Sequence, residues 1–159
     1  MDDQTPPART IPTLGEIGLN RFVPYLMNRT MGRYNADLQR ALKKRGLTTM
    51  KMRTLAILAV VPGLTINELS VYAISEQSTM SRTLESLEAA GLVRREERES
   101  DGRVREIYLT AEGRACFGEI WPLVHQDCER MFDGITEAER EAFVQTLQKM
   151  LHNVRRNEF

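Results

Sequence analysis

A mainly α-helical chain carrying one small β-hairpin, an α+β arrangement, is the fold class that this sequence predicts, and three observations predict it. Apolar side chains recur at spacings of three and four over most of the 159 residues, which marks one buried face on each of several helices. The period changes once, at 92–95 and 104–109, where apolar and polar residues alternate as in half-buried strands. Between them Arg98-Glu-Ser-Asp-Gly-Arg103 has turn chemistry, with Asp101-Gly102 expected at the tip of a hairpin.

The elements follow in order. Residues 1–12 hold Pro6, Pro7 and Pro12 and few large apolar groups, so they read as a loose arm. From Thr13 to about Arg45, Met27, Met31, Tyr34, Leu38 and Ala41 line one helical face. Pro24 either kinks that segment or opens a fresh first turn, and Gly46 is a natural C-terminal stop. Thr48 caps the next helix, whose stripe includes Leu55 and Leu58, and Pro62-Gly63 ends it. Thr65-Ile-Asn-Glu68 is a capping box opening a short helix to about Ala73. Ser75 is the expected cap of a further helix, closed by Gly91. After the hairpin, Thr110 caps a long helix with Phe117, Trp121, Val124, Cys128, Met131 and Ile135 on its face. Asp133-Gly134 breaks it, and a second capping box, Thr136-Glu-Ala-Glu139, opens a last helix with Phe143, Leu147, Leu151 and Val154 on one side.

Composition bounds the function classes. Hydrophobic residues make up 42% and charged residues 28%, as in ordinary globular proteins. No run approaches the roughly 20 apolar residues of a membrane span, and the start lacks the basic and apolar regions of a secretory signal. A cytoplasmic location is expected. The 22 basic and 22 acidic residues cancel, so any affinity for nucleic acid has to come from where the arginines lie.

That placement points to DNA. A short helix, a tight turn, a second helix and a small hairpin together form the layout of a winged helix-turn-helix. Met80, Leu84 and Leu87 form the apolar stripe of the second helix, while Gln77, Ser78, Thr79, Ser81 and Arg82 gather near its start. Their amide, hydroxyl and guanidinium groups suit base edges and phosphates in a major groove, with Arg82 the best candidate for a bidentate guanine contact. The hairpin adds Arg94, Arg95, Arg98, Arg103 and Arg105. Glu96, Glu97, Glu99 and Asp101 share that stretch; the expected resolution has Asp101 fixing the turn, paired with Arg103, and the glutamates facing solvent. A solvated amphipathic face is the alternative for the helix in isolation; the ordered set of elements outweighs it.

The run 47–113 resembles the MarR family of bacterial transcription regulators. The matching pieces are Leu47-Thr48, Glu68-Leu69, Gln77-Ser-Thr-Met-Ser-Arg82, Leu87-Glu-Ala-Ala-Gly-Leu-Val-Arg-Arg95, Asp101-Gly-Arg103 and Leu109-Thr-Ala-Glu-Gly113. The flanking helices match in pattern. The resemblance implies a single domain over 13–159, with 47–110 as the DNA-binding lobe and 13–46 and 111–159 as dimerisation helices. It implies a homodimer on a palindromic operator in double-stranded DNA, usually repressing, and release by a small aromatic or phenolic effector. By match to the motif, Asp101 and Gly102 form the wing turn, Arg103 reaches DNA at the wing, and Arg95 is the arginine after Gly-Leu-Val. Independently, three long amphipathic helices at the ends carry more apolar stripe than one small lobe can cover, which favours a dimer; packing within one chain is the alternative.

Other chemistry is less well supported. Cys116 and Cys128 lie twelve positions apart on one helix, about 18 Å at 1.5 Å per residue, too far for an internal disulfide. His125-Gln-Asp-Cys128 offers half a zinc site with no matching pair elsewhere, so no metal is expected. Pro122 should bend its helix. No glycine-rich phosphate loop and no nucleophile with a base is found, so neither catalytic residues nor a cofactor are expected. The rival reading is an adaptor whose winged helix binds protein, which the mixed-sign hairpin and zero net charge favour.

Overall fold

In a computed structural model of the chain, the described residues are 11–98 and 101–155, with Asp101 described by its backbone alone. The expected arm lies outside them except for Ile11 and Pro12, which have no regular structure. The chain divides into two compact units, at Ala36/Asp37.

In the first unit, the short helix α1 (Leu14–Ile17) is opened by a capping box in which the Thr13 hydroxyl accepts from the Glu16 N–H and the Glu16 carboxylate accepts from the Thr13 N–H. A 3-10 turn, Leu19–Arg21, leads into α2 (Val23–Lys43). Pro24 therefore opens a fresh helix, where its missing N–H costs nothing. Leu14, Leu19, Val23, Leu26, Met27 and Met31 of this unit are all exposed.

The second unit takes in the end of α2, where Leu38 and Leu42 are buried. There Gly46 sits at φ 69°, and the Leu47 N–H reaches back to the Leu42 carbonyl at 3.2 Å, closing the helix as expected. Then come α3 (Thr49–Val60), α4 (Ile66–Ala73), α5 (Gln77–Ala89), β1 (Val93–Arg98), β2 (Asp101–Leu109), α6 (Ala111–Arg130) and α7 (Glu137–Val154). Helix α3 packs on α4, α5, α6 and β2, and α5 packs on α4 and β1. Their shared core includes Leu55, Leu58, Leu69, Met80, Leu84, Leu87 and Ile107. Each such side chain contributes about 1.5–3 kcal/mol by leaving water, which fixes α5 against the lobe by three points along one side.

Strands β1 and β2 pair antiparallel from Val93↔Leu109 to Glu97↔Arg105. The sheet has a small addition that periodicity could not reveal: Leu64 bridges Ile107, with the Ile107 N–H donating to the Leu64 carbonyl at 2.9 Å. Two expectations are corrected. Asp101-Gly102 is not the tip, because Asp101 opens β2 and pairs with Arg98; residues 99–100 lie outside the described ones. Gly102 does not take the positive φ that a tip of that type needs; the irregularity between Glu97 and Arg98 absorbs the residues instead. Nor does Ser75 cap α5. Its N–H donates to the Ser70 carbonyl at 2.9 Å, which ends α4, and Glu76 takes the cap position without a side-chain bond.

The junction into α6 is tight. Thr110 caps the helix through the Gly113 N–H at 2.9 Å and donates its hydroxyl to the Gly91 carbonyl at 2.7 Å. Within α6 the buried residues are Gly113, Ile120, Val124 and Asp127; Val124 is buried and Phe117 packs on the core as expected, but Trp121 is exposed and Ile120 is buried in its stead. Helix α7 opens with the capping box at Thr136 and Glu139 and has no buried residue.

Candidate nucleic-acid interface

Helix α5 presents polar side chains on the side that its packing leaves free. Met80, Leu84 and Leu87 are buried, and spacings of four and three put them on one face. Gln77, Ser78, Thr79 and Arg82 consequently stand exposed together at the N-terminal half. Glu76 makes no side-chain cap, so the first-turn N–H groups receive no protein side chain. Arg82 has no hydrogen bond or ion pair among the described residues. Ser81 is only half-buried, and its hydroxyl donates to Glu85 at 3.3 Å. This surface offers hydroxyls, an amide, backbone donors and one uncommitted guanidinium.

The wing has a more divided character than expected. Arg95 pairs with Glu88 near the end of α5 at 3.3 Å, and Arg105 pairs across the strands with Glu97 at 3.1 Å. Arg94 pairs with Glu96 and lies 5.1 Å from the centre of the Tyr108 ring. The glutamates at 96 and 97 therefore neutralise wing arginines instead of standing alone in solvent. Arg98 and Tyr108 converge on one carboxylate: the Arg98 Nε donates to Glu106 at 2.5 Å and the Tyr108 hydroxyl donates to it at 2.8 Å. The Arg98 bond, then the Tyr108 bond, holds the Glu106 carboxyl below the usual carboxylate range, and the same carboxylate raises the Tyr108 phenol. The Arg94–Glu96 and Arg105–Glu97 pairs are exposed, where ion pairs contribute little, so these glutamates hold their cations weakly.

Arg95, Arg103 and Arg105 line one cleft of about 420 Å³, which also takes in Thr65, Ile66 and Asn67 at the start of α4 and Leu84 of α5. The fold thus gathers the cations beside α5; Arg103 is exposed there, and Arg95 is already committed to Glu88. The expected Asp101–Arg103 pair concerns a side chain outside the described ones. Glu76 and Ile74, exposed just ahead of Gln77, were not singled out from the sequence.

No group of three or more metal-ligating side chains occurs among the described residues. Both cysteines are free, and burial, then Glu119, pushes the Cys116 thiol up, away from a reactive thiolate. His125 stacks edge-on against Trp121 with ring centres 5.6 Å apart.

Residues 45–104 match the model of the MarR family. The chain is similar to the HTH-type transcriptional repressor IacR of Pseudomonas putida, 29% identical over 143 residues, covering 90% of this chain and 86% of that protein. A MarR-family transcriptional regulator of Silicibacter pomeroyi superposes with a TM-score of 0.88 at 51% identity, covering 93% of this chain and 100% of that one. BpsR of Bordetella bronchiseptica, solved to explain regulation of its DNA binding by 6-hydroxynicotinic acid, superposes with a TM-score of 0.70 at 28% identity, covering 80% and 97%.

Proposed function

This chain belongs to the MarR family of transcription regulators, and from that premise we propose that it is a homodimeric repressor that binds a palindromic operator in double-stranded DNA and is released by a small aromatic or phenolic effector. One observation carries the DNA reading: α5 is pinned by Met80, Leu84 and Leu87 and presents Gln77, Ser78, Thr79 and uncommitted Arg82 outward. Arg82 reads a guanine edge and its neighbours bind phosphate and bases, with Ser81 at the margin of the face. Arg103 and Arg95 track the backbone from the wing, whose second strand Asp101 and Gly102 begin. Repression is supported by the likeness to IacR, and an aromatic acid effector by the likeness to BpsR.

Segments 13–46 and 111–159 are the dimerisation helices around the lobe 47–110. The exposed apolar residues of α1, α2 and α7 support that assignment. The protein acts in the cytoplasm as a regulator, without catalysis, cofactor or metal; no helix among the described residues is long and apolar enough to cross a membrane.

The test is selection of genomic fragments by the purified, effector-free protein near physiological salt. A recovered palindrome with half-sites about one helical turn apart, bound with an affinity that falls steeply as salt rises, is the expected result. The glutamate-paired wing favours one other reading, a protein-binding adaptor; absence of any enriched duplex would select it.

A further inference from the structure

Ile74 is the single non-glycine residue with a positive φ among the described residues, at φ 53° and ψ 58°. In this left-handed region a branched Cβ crowds the backbone, which is why glycine or asparagine ordinarily ends a helix this way. The turn is held in place around it. Ser75 donates to the Ser70 carbonyl at 2.9 Å, and Arg53 of α3 donates to the carbonyl of buried Ala73 at 2.9 Å. Those bonds dictate the backbone at Ile74, but nothing repays the side chain: it is 86% exposed, with Val71 and Tyr72 of the same short stretch also exposed. An apolar, β-branched group is thus kept in a strained position where it contributes no packing to the chain itself. Strain held at an exposed residue points outward, to something that covers it.

The position says what that is. Ile74 lies three residues before Gln77, at the end of α5 that presents Gln77, Ser78 and Thr79. Between them Glu76 exposes a carboxylate, which repels phosphates and keeps this corner off the DNA backbone. In a major groove the apolar feature among base edges is the thymine C5-methyl group. Resting on the DNA-binding reading above, we propose that Ile74 is a specificity-determining contact that packs on a thymine methyl at the edge of each operator half-site.

The experiment uses the full chain and the operator duplex recovered by fragment selection. Ile74→Gly relieves the strain, so its thermal midpoint should rise by about 2–4 °C. Its operator affinity should nevertheless fall roughly fourfold, the value of burying one methyl group. Ile74→Asn, which also tolerates the left-handed turn, should lose affinity similarly. Each operator thymine is then replaced in turn by deoxyuridine, which lacks only the methyl. At one thymine per half-site the parent should lose the same factor, while Ile74→Gly loses nothing further. Parent-like affinity in both variants, or equal losses for parent and variant at every thymine, overturns the contact while leaving DNA binding intact. If the parent itself selects no duplex, the underlying reading falls with it.

Discussion

At the scale of single residues, α5 separates anchors from readers, and substitutions should separate accordingly. Arg82→Ala removes an exposed guanidinium with no partner in the described chain, so the fold should not notice. Specific binding should weaken by about 1–3 kcal/mol with relaxed preference at one base position, measured by comparing operator with scrambled duplex. Arg103→Ala, on the wing, should instead weaken all duplexes evenly and lower the salt slope by about 1. Gly113 is the opposite kind of residue. A Cβ there would stand 2.0 Å from the Leu92 carbonyl oxygen, which is backbone and cannot swing aside. Gly113→Ala should therefore cost about 1–3 kcal/mol or more in chemical denaturation, because α6 must pull away from the turn that opens β1. The face of α5 was legible in the sequence because helical spacing alone sorts Met80, Leu84 and Leu87 from Ser78, Thr79 and Arg82. The commitment of Arg95 to Glu88 was not, since that pair forms only once β1 lies against α5.

At the scale of elements, local rules worked where chemistry is local. The capping boxes at Thr65 and Thr136 formed as written, because both partners lie within one turn of each other. Ser75 failed as a cap because α5 begins one residue later, behind Glu76, and the Ser75 hydroxyl donates to the Glu76 carbonyl at 3.2 Å instead of accepting from the first turn. The stripe of α6 was legible in part, with Phe117 and Val124 covered as expected and Trp121 not. Periodicity finds an apolar side, but packing decides which residues it covers, and Ile120 and Val124 are buried while Trp121 is left exposed. The wing holds one carboxylate between two donors. Arg98 and Tyr108 hold the Glu106 carboxyl below its usual value, so their contribution is full above the ordinary carboxylate range. It is lost as pH falls through the lowered folded-state value. Amide exchange should show wing protection falling in acid before that of the α3–α5 core, and Glu106→Gln should remove that acid step. A wing that keeps its protection to the pH at which the whole lobe unfolds would show that this carboxylate does not order it.

At the scale of the whole molecule, the lobe has a core of its own, whereas the terminal helices leave their apolar sides bare. Helix α7 has no buried residue, and Phe143 and Leu151 remain 49% and 64% exposed, although the sequence reads both as one helix face. A capped helix of 18 residues with an uncovered apolar side is stable chiefly through what packs on it. In the proposed dimer a second copy supplies that cover, and the same association joins two α5 helices into one reader of a palindrome. The two roles can be pulled apart by Leu151→Glu combined with Phe143→Glu. Neither side chain belongs to the lobe core, so thermal unfolding of the lobe should persist while sedimentation shows the dimeric parent becoming a monomer. Operator affinity should then drop by at least about 100-fold, because the second half-site loses the effective concentration that the first one provides. The loss should shrink to little on a single half-site duplex, which one lobe reads alone. A variant that stays dimeric, or a parent that sediments as a monomer, would instead mean that the bare faces of α7 serve another partner and that one chain must read its site unaided.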